Sequence, residues 1–118
     1  MLGLLIRQHL ARQREELGSS TAALRVPESW LGEMPMRMAG AERAVREGDT
    51  ERLREIAHLL RSTCAMVGAT HPSELAGAIE SHVRNGQLVG LCEVEDLVGA
   101  ARSAATVVTA WRDTLPIA

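Results

Sequence analysis

From Val94 to Leu115 an apolar or small side chain returns every three or four residues: Val94, Leu97, Ala101, Ala104, Val108, Trp111 and Leu115. Only a helix gathers residues so spaced onto one face, and a face that wide has to be covered by other elements. Its small members let a neighbouring helix approach closely. No segment of the chain alternates with period two for long, so no sheet is expected. The fold class implied is all-α.

The material available for a core agrees. Apolar residues make up 46% of the 118, yet there is no Phe or Tyr, and Trp30 and Trp111 are the only aromatic side chains. Leu, Val, Ile, Ala and Met must therefore fill one domain by close helix packing. The formal charge is −2, with 13 arginines and no lysine scattered among 15 acids. That balance gives no basic stripe for nucleic acid. Two cysteines, Cys64 and Cys92, are too few for a disulfide framework, which fits a reducing, cytoplasmic setting. The apolar stretch Met1–Ile6 is too short to span a membrane, so no membrane insertion is expected.

Turn signals divide the chain into helices. Residues 2–17 place Leu2, Leu5, Ile6, Leu10 and Leu17 at helical spacing, and residues 18–21 read as a break. Residues 22–29, containing Pro27, read as a linker. A second helix is expected from about Trp30 to Glu47, with Pro35 near its start. Asp49 or Thr50 can cap a third, which stops at Gly68. Thr70 or His71 can cap a fourth, with Pro72 in its first turn and Leu75, Ile79 and Val83 along it, ending at Asn85-Gly86. The fifth runs from about Leu91 to Leu115. Short turns between the last four favour an antiparallel four-helix bundle with an additional N-terminal helix. In this reading residues 1–29 are the N-terminal helix and linker, residues 30–118 are the bundle, and both belong to one domain. The first helix is then either an extra cover or a dimerisation element.

On the third helix, Leu53, Ile56, Ala57, Leu60, Cys64 and Val67 share the core side. His58 lies roughly 140° from the centre of that stripe and should face solvent. Arg54 stands one turn before it, Arg61, Ser62 and Ala65 follow within two turns, and Glu51 lies further back. Imidazole as a residue type is a good nucleophile near neutral pH. Arg54 and Arg61 are placed to meet negative charge at its tip, including phosphoryl oxygens. Ser62 and Ala65 are small and leave room above the ring for another protein. Periodicity alone is equally met by an ordinary surface histidine between two arginines.

The surrounding residues add a pattern. Ala57-His58-Leu59-Leu60-Arg61-Ser62 is followed by Gly68-Ala69, by Leu75, by Ile79-Glu80 and by Arg84-Asn85-Gly86. Trp30-Leu31-Gly32-Glu33-Met34-Pro35 and Gly48-Asp49 lead in. Over about residues 30–115 the chain resembles the histidine-containing phosphotransfer (HPt) domains of multistep two-component phosphorelays. It departs from that pattern at two positions, Arg61 for the usual Lys and Ser62 for the usual Gly.

The resemblance implies a phosphorelay intermediate. His58 would accept a phosphoryl group from a receiver-domain aspartate and pass it to another receiver domain, with Nε2 as the reacting nitrogen. Arg61, Arg54 and Ser62 would support it. Leu59, Ala65 and Glu51 would meet the partner, and Met34, Met36 and Met38 would divide between core and contact surface. The chain would need no cofactor of its own, since the receiver supplies Mg²⁺. It could be free-standing or part of a hybrid sensor histidine kinase. No Gly-rich loop suggests ATP binding, so a complete kinase is not implied. Two rivals stand beside this reading: an HPt-like interaction module without phosphotransfer, and a structural or dimerisation bundle.

The other candidates are bland. His9 and His82 fall on apolar stripes and read as half-buried packing residues, and His71 as a turn or cap residue. Cys64 faces the core, and no close spacing of Cys and His suggests a metal site.

Overall fold

The structure, a computed structural model, describes residues 2–116, with side chains from Gly3 onward. Met1, Ile117, Ala118 and the Leu2 side chain on the expected stripe lie outside that description. Five helices follow one another: α1 (Leu2–Leu17), α2 (Ser20–Glu47), α3 (Thr50–Met66), α4 (Thr70–Arg84) and α5 (Leu91–Asp113). Among the described residues there is no strand. The all-α bundle is thus present, in a molecule 47 × 21 × 20 Å.

Helix length explains that elongation. At about 1.5 Å per residue the 28-residue α2 and 23-residue α5 outrun the 17-residue α3 and 15-residue α4. The α3–α4 hairpin therefore covers only part of the long pair. α1 covers the rest, packing on α5, α2 and the start of α4. It buries Ile6 and Leu10 there, while Leu5 and Leu17 of its expected stripe are exposed. Two apolar anchors, rather than a full stripe, hold this helix.

The linker expected over residues 22–29 is helix instead. Ser19 caps α2, its hydroxyl accepting from the Ala22 N–H at 3.2 Å, and the helix then runs through Pro27 and Pro35 without a break. Each interior proline removes a backbone hydrogen bond and crowds the preceding turn, at about 3 kcal/mol. Burial opposes that cost. Ala23, Leu24, Pro27, Trp30, Met34, Met38, Ala41 and Ala44 form one continuous buried stripe along α2. Pro27 is itself a member of that stripe. Of the three methionines, Met34 and Met38 are core and Met36 is 77% exposed.

The remaining boundaries follow local chemistry. Asp49 caps α3, accepting from the Arg52 N–H at 3.1 Å. Gly48 and Gly68 close α2 and α3 with φ of +69° and +76°. The residue preceding α4 is Ala69, which is buried, and neither Thr70 nor His71 is its cap. α5 ends at Asp113, two residues short of Leu115. Its buried set, Val94, Leu97, Ala101, Ala104, Val108 and Trp111, is the expected stripe without Leu115, which is only partly buried, and with Val98 added. Cys64 is fully buried, and burial pushes its thiol up to about 11, against the opposing pull of the Trp30 indole and the Arg37 cation. It is therefore a packing residue, held as the thiol at neutral pH.

Candidate functional site

The three-residue turn Val67-Gly68-Ala69 sends α4 back along α3. His58 stands eight residues before the end of α3 and Glu80 ten residues after the start of α4, so the two come roughly level. The His58 side chain is 60% exposed, as its place on the helix predicts. Glu80 is 1% exposed and is the only polar or charged side chain in the buried set of the described residues. Its Oε2 lies 2.5 Å from His58 Nδ1. A carboxylate only accepts, so Nδ1 carries the hydrogen and donates it. The Nε2 lone pair is then free and directed away from the core.

A carboxylate sunk among apolar neighbours is tolerated only when partnered. Three groups partner Glu80, divided between its oxygens. Oε2 takes His58 and Arg84 Nη2, the latter at 3.3 Å, while Oε1 faces Arg61 Nη1 at 3.5 Å and accepts no hydrogen bond. One buried acid thus holds an exposed imidazole and two exposed guanidinium groups together at the surface. That arrangement holds the ring by Nδ1 and keeps two guanidinium groups at the same acid.

The other expected site residues are distributed unevenly. Arg61 belongs to this cluster. Arg54 is paired with Glu51 instead, at 2.5 Å, and the pair holds the Glu51 carboxyl below the ordinary range by hydrogen bonding and charge. Ser62 turns its hydroxyl to its own helix, donating to the Leu59 carbonyl at 3.1 Å, so it is not aimed past the His58 ring. Leu59 is 42% exposed and Ala65 is exposed. Leu59 joins Met36, Gly40 and Ile56 in a shallow groove between α2 and α3, with Arg37, Arg52 and Glu55 alongside. An apolar surface of adaptable side chains therefore lies beside the imidazole.

Glu80 and Arg84 received no role from the sequence, although both stand in the quoted pattern. A signal existed for Glu80. Pro72, Ala76 and Glu80 follow one another at intervals of four, so the acid continues a buried row of α4. An acid on such a row calls for a partner, but which helix supplies it depends on the pairing of α3 with α4. Of the remaining histidines, His9 and His82 are half-buried as expected, while His71 is a helical residue rather than a cap. His9, on α1, is half-buried, with Nε2 donating to the Met66 carbonyl at 3.0 Å. His82 is half-buried and pairs with Glu93 at 3.0 Å, and His71 is exposed in the first turn of α4. Among the described residues no three His, Cys, Asp or Glu side chains gather as metal ligands, and no helix is long and apolar enough to cross a membrane.

Fold and site together define a class: a helical bundle that exposes one oriented imidazole, with arginines around it and an apolar face beside it. The family model described as the Hpt domain matches residues 25–114. The chain belongs to that family and has its general role, phosphotransfer in the relays of two-component systems, where Hpt domains interact with receiver domains. Comparison with curated proteins and with solved structures gave no match.

Proposed function

We propose that His58 is the phosphoacceptor, taking a phosphoryl group from a receiver-domain aspartate and handing it to a second receiver. The observation that carries this reading is the bond from Nδ1 of the exposed His58 ring to buried Glu80, which leaves Nε2 as the free nucleophile. The Nε2 lone pair attacks the phosphorus of the aspartyl phosphate in line. The P–N bond forms, the P–O bond breaks, and the aspartate leaves as a carboxylate. The Nδ1 hydrogen stays on the ring, held by Glu80. Transfer to the second receiver runs the same exchange in reverse. Arg61 and Arg84 face the charge on the phosphoryl oxygens, and the Leu59–Met36 groove docks the receiver. Mg²⁺ is assigned to the receiver, so this chain contributes the nucleophile, its orientation and its electrostatic surroundings.

The test is to incubate the protein with a ³²P-labelled receiver and map the label. Acid-labile, alkali-stable label on the peptide carrying His58 is the expected result. Receivers that bind the protein yet never label it would leave an interaction module, and label mapped to another residue would sink the assignment.

Glu80 gives a second prediction. Glu80→Leu should melt at or above the wild-type temperature, because its three exposed partners return to water and an apolar side chain suits the site. It should nevertheless label about 10- to 100-fold more slowly, as histidines do when an orienting partner is lost. Glu80→Gln keeps an oxygen that accepts from Nδ1 and should fall between. Equal labelling rates in all three proteins would remove Glu80 from the mechanism.

A further inference from the structure

We infer that Gly77 is a positioning residue, whose missing side chain routes Arg61 across α4 to the free oxygen of Glu80. A Cβ at Gly77 would stand 3.1 Å from Arg61 Cδ, tighter than ordinary van der Waals contact, and 3.7 Å from Cγ, an ordinary contact. The Arg61 stem therefore lies in the space a side chain at 77 would fill. Beyond that point Nη1 reaches Glu80 Oε1 at 3.5 Å. Of the three cations around Glu80, Arg61 is the one whose closest approach is to Oε1, while His58 and Arg84 come closest to Oε2. Oε1 is buried and accepts no hydrogen bond, so a cation held beside it matters, and Arg61 is the one that faces it.

The backbone beneath Arg61 is tied to the same helix. Ser73, in the first turn of α4, donates to the Arg61 carbonyl at 2.6 Å. Backbone and stem are thus both set against α4, which narrows the positions open to the guanidinium. Without that seat, a 52% exposed arginine has ample room to swing into water. Glycine inside a helix is otherwise unfavourable relative to alanine. A glycine in α4 that a neighbouring cation's stem packs against has a packing reason to be there.

This inference rests on the phosphoacceptor reading only for its chemical consequence, and the experiment separates the two. Wild type, Gly77→Ala, Arg61→Ala and the double variant are compared by thermal melting, by the NMR order parameter of the Arg61 Nε–Hε group, and by the rate of labelling with phosphoramidate. That small donor passes its phosphoryl group to Nε2 as its P–N bond breaks and ammonia leaves, so no receiver is needed. Gly77→Ala should melt at or above wild type, through its better helix propensity. The Arg61 order parameter should fall, and labelling should slow about threefold to tenfold. In the Arg61→Ala background, Gly77→Ala should change the labelling rate no further. An unchanged order parameter, or an equal slowing without Arg61, would overturn the inference. A falling order parameter in a protein that takes no label at His58 would support the placement of Arg61 and overturn the phosphoacceptor reading alone.

Discussion

A His58→Gln protein should melt within about 1 kcal/mol of wild type and take less than about a thousandth of its label. The stability half follows from exposure. The ring is 60% exposed, so little apolar area is lost with it. The Gln amide can donate to Glu80 in place of Nδ1, and Arg61 and Arg84 remain beside that acid. The chemical half follows from the nucleophile. An amide nitrogen has no free lone pair for phosphorus, and no neighbouring side chain can replace it. The hydroxyl one turn further along α3, on Ser62, donates into the Leu59 carbonyl. His82 supplies the control. It too carries a carboxylate on Nδ1, but its partner Glu93 is 41% exposed and fixes nothing in place. His82→Gln should therefore label as wild type does. Retained label in the His58 variant, or its loss in the His82 variant, would move the acceptor away from His58.

That contrast also shows what the sequence could and could not disclose. Exposure of His58 was legible because it depends only on the angle between residue 58 and the buried row Leu53, Ile56, Ala57, Leu60 and Cys64 within one helix. Helix ends were legible wherever a residue acts on its own backbone, as Asp49 does at the start of α3 and Gly68 at its end. Interactions between helices were not. The spacing of residues 58 and 80 says nothing of a contact until α3 and α4 are paired, so the acid that orients the ring received no role. The prolines of α2 failed for a related reason. Their local cost was visible, whereas the burial that offsets it comes from packing of α2 on other helices, α3, α5 and α1. Arg54 shows the same limit within one helix: its place one turn before His58 was legible, but its ion pair with Glu51 three residues back was not assigned.

Gly68→Ala should be more destabilising than Gly48→Ala or Gly86→Ala, and its size should report how firmly α1 is seated. Gly48, Gly68 and Gly86 share a left-handed backbone, with φ of +69°, +76° and +74°. Alanine at any of them carries the left-handed penalty of about 1–2 kcal/mol. At Gly48 and Gly86 nothing lies within 4 Å of the added Cβ, so the cost should stop there. At Gly68 the added Cβ would stand 2.6 Å from His9 Cβ and 2.7 Å from His9 Cγ. Rotating the His9 side chain cannot relieve a clash with its own Cβ, so α1 has to move. Moving it stretches the His9–Met66 hydrogen bond and lifts Ile6 and Leu10 from their buried seats. Overpacking of this kind adds about 1–3 kcal/mol to the backbone penalty. Chemical denaturation of the three variants measures the difference directly. A Gly68→Ala cost equal to that of Gly86→Ala would mean that α1 does not pack on the α3–α4 turn. A larger cost makes Gly68 the point where the N-terminal helix bears on the turn that sets His58 against Glu80.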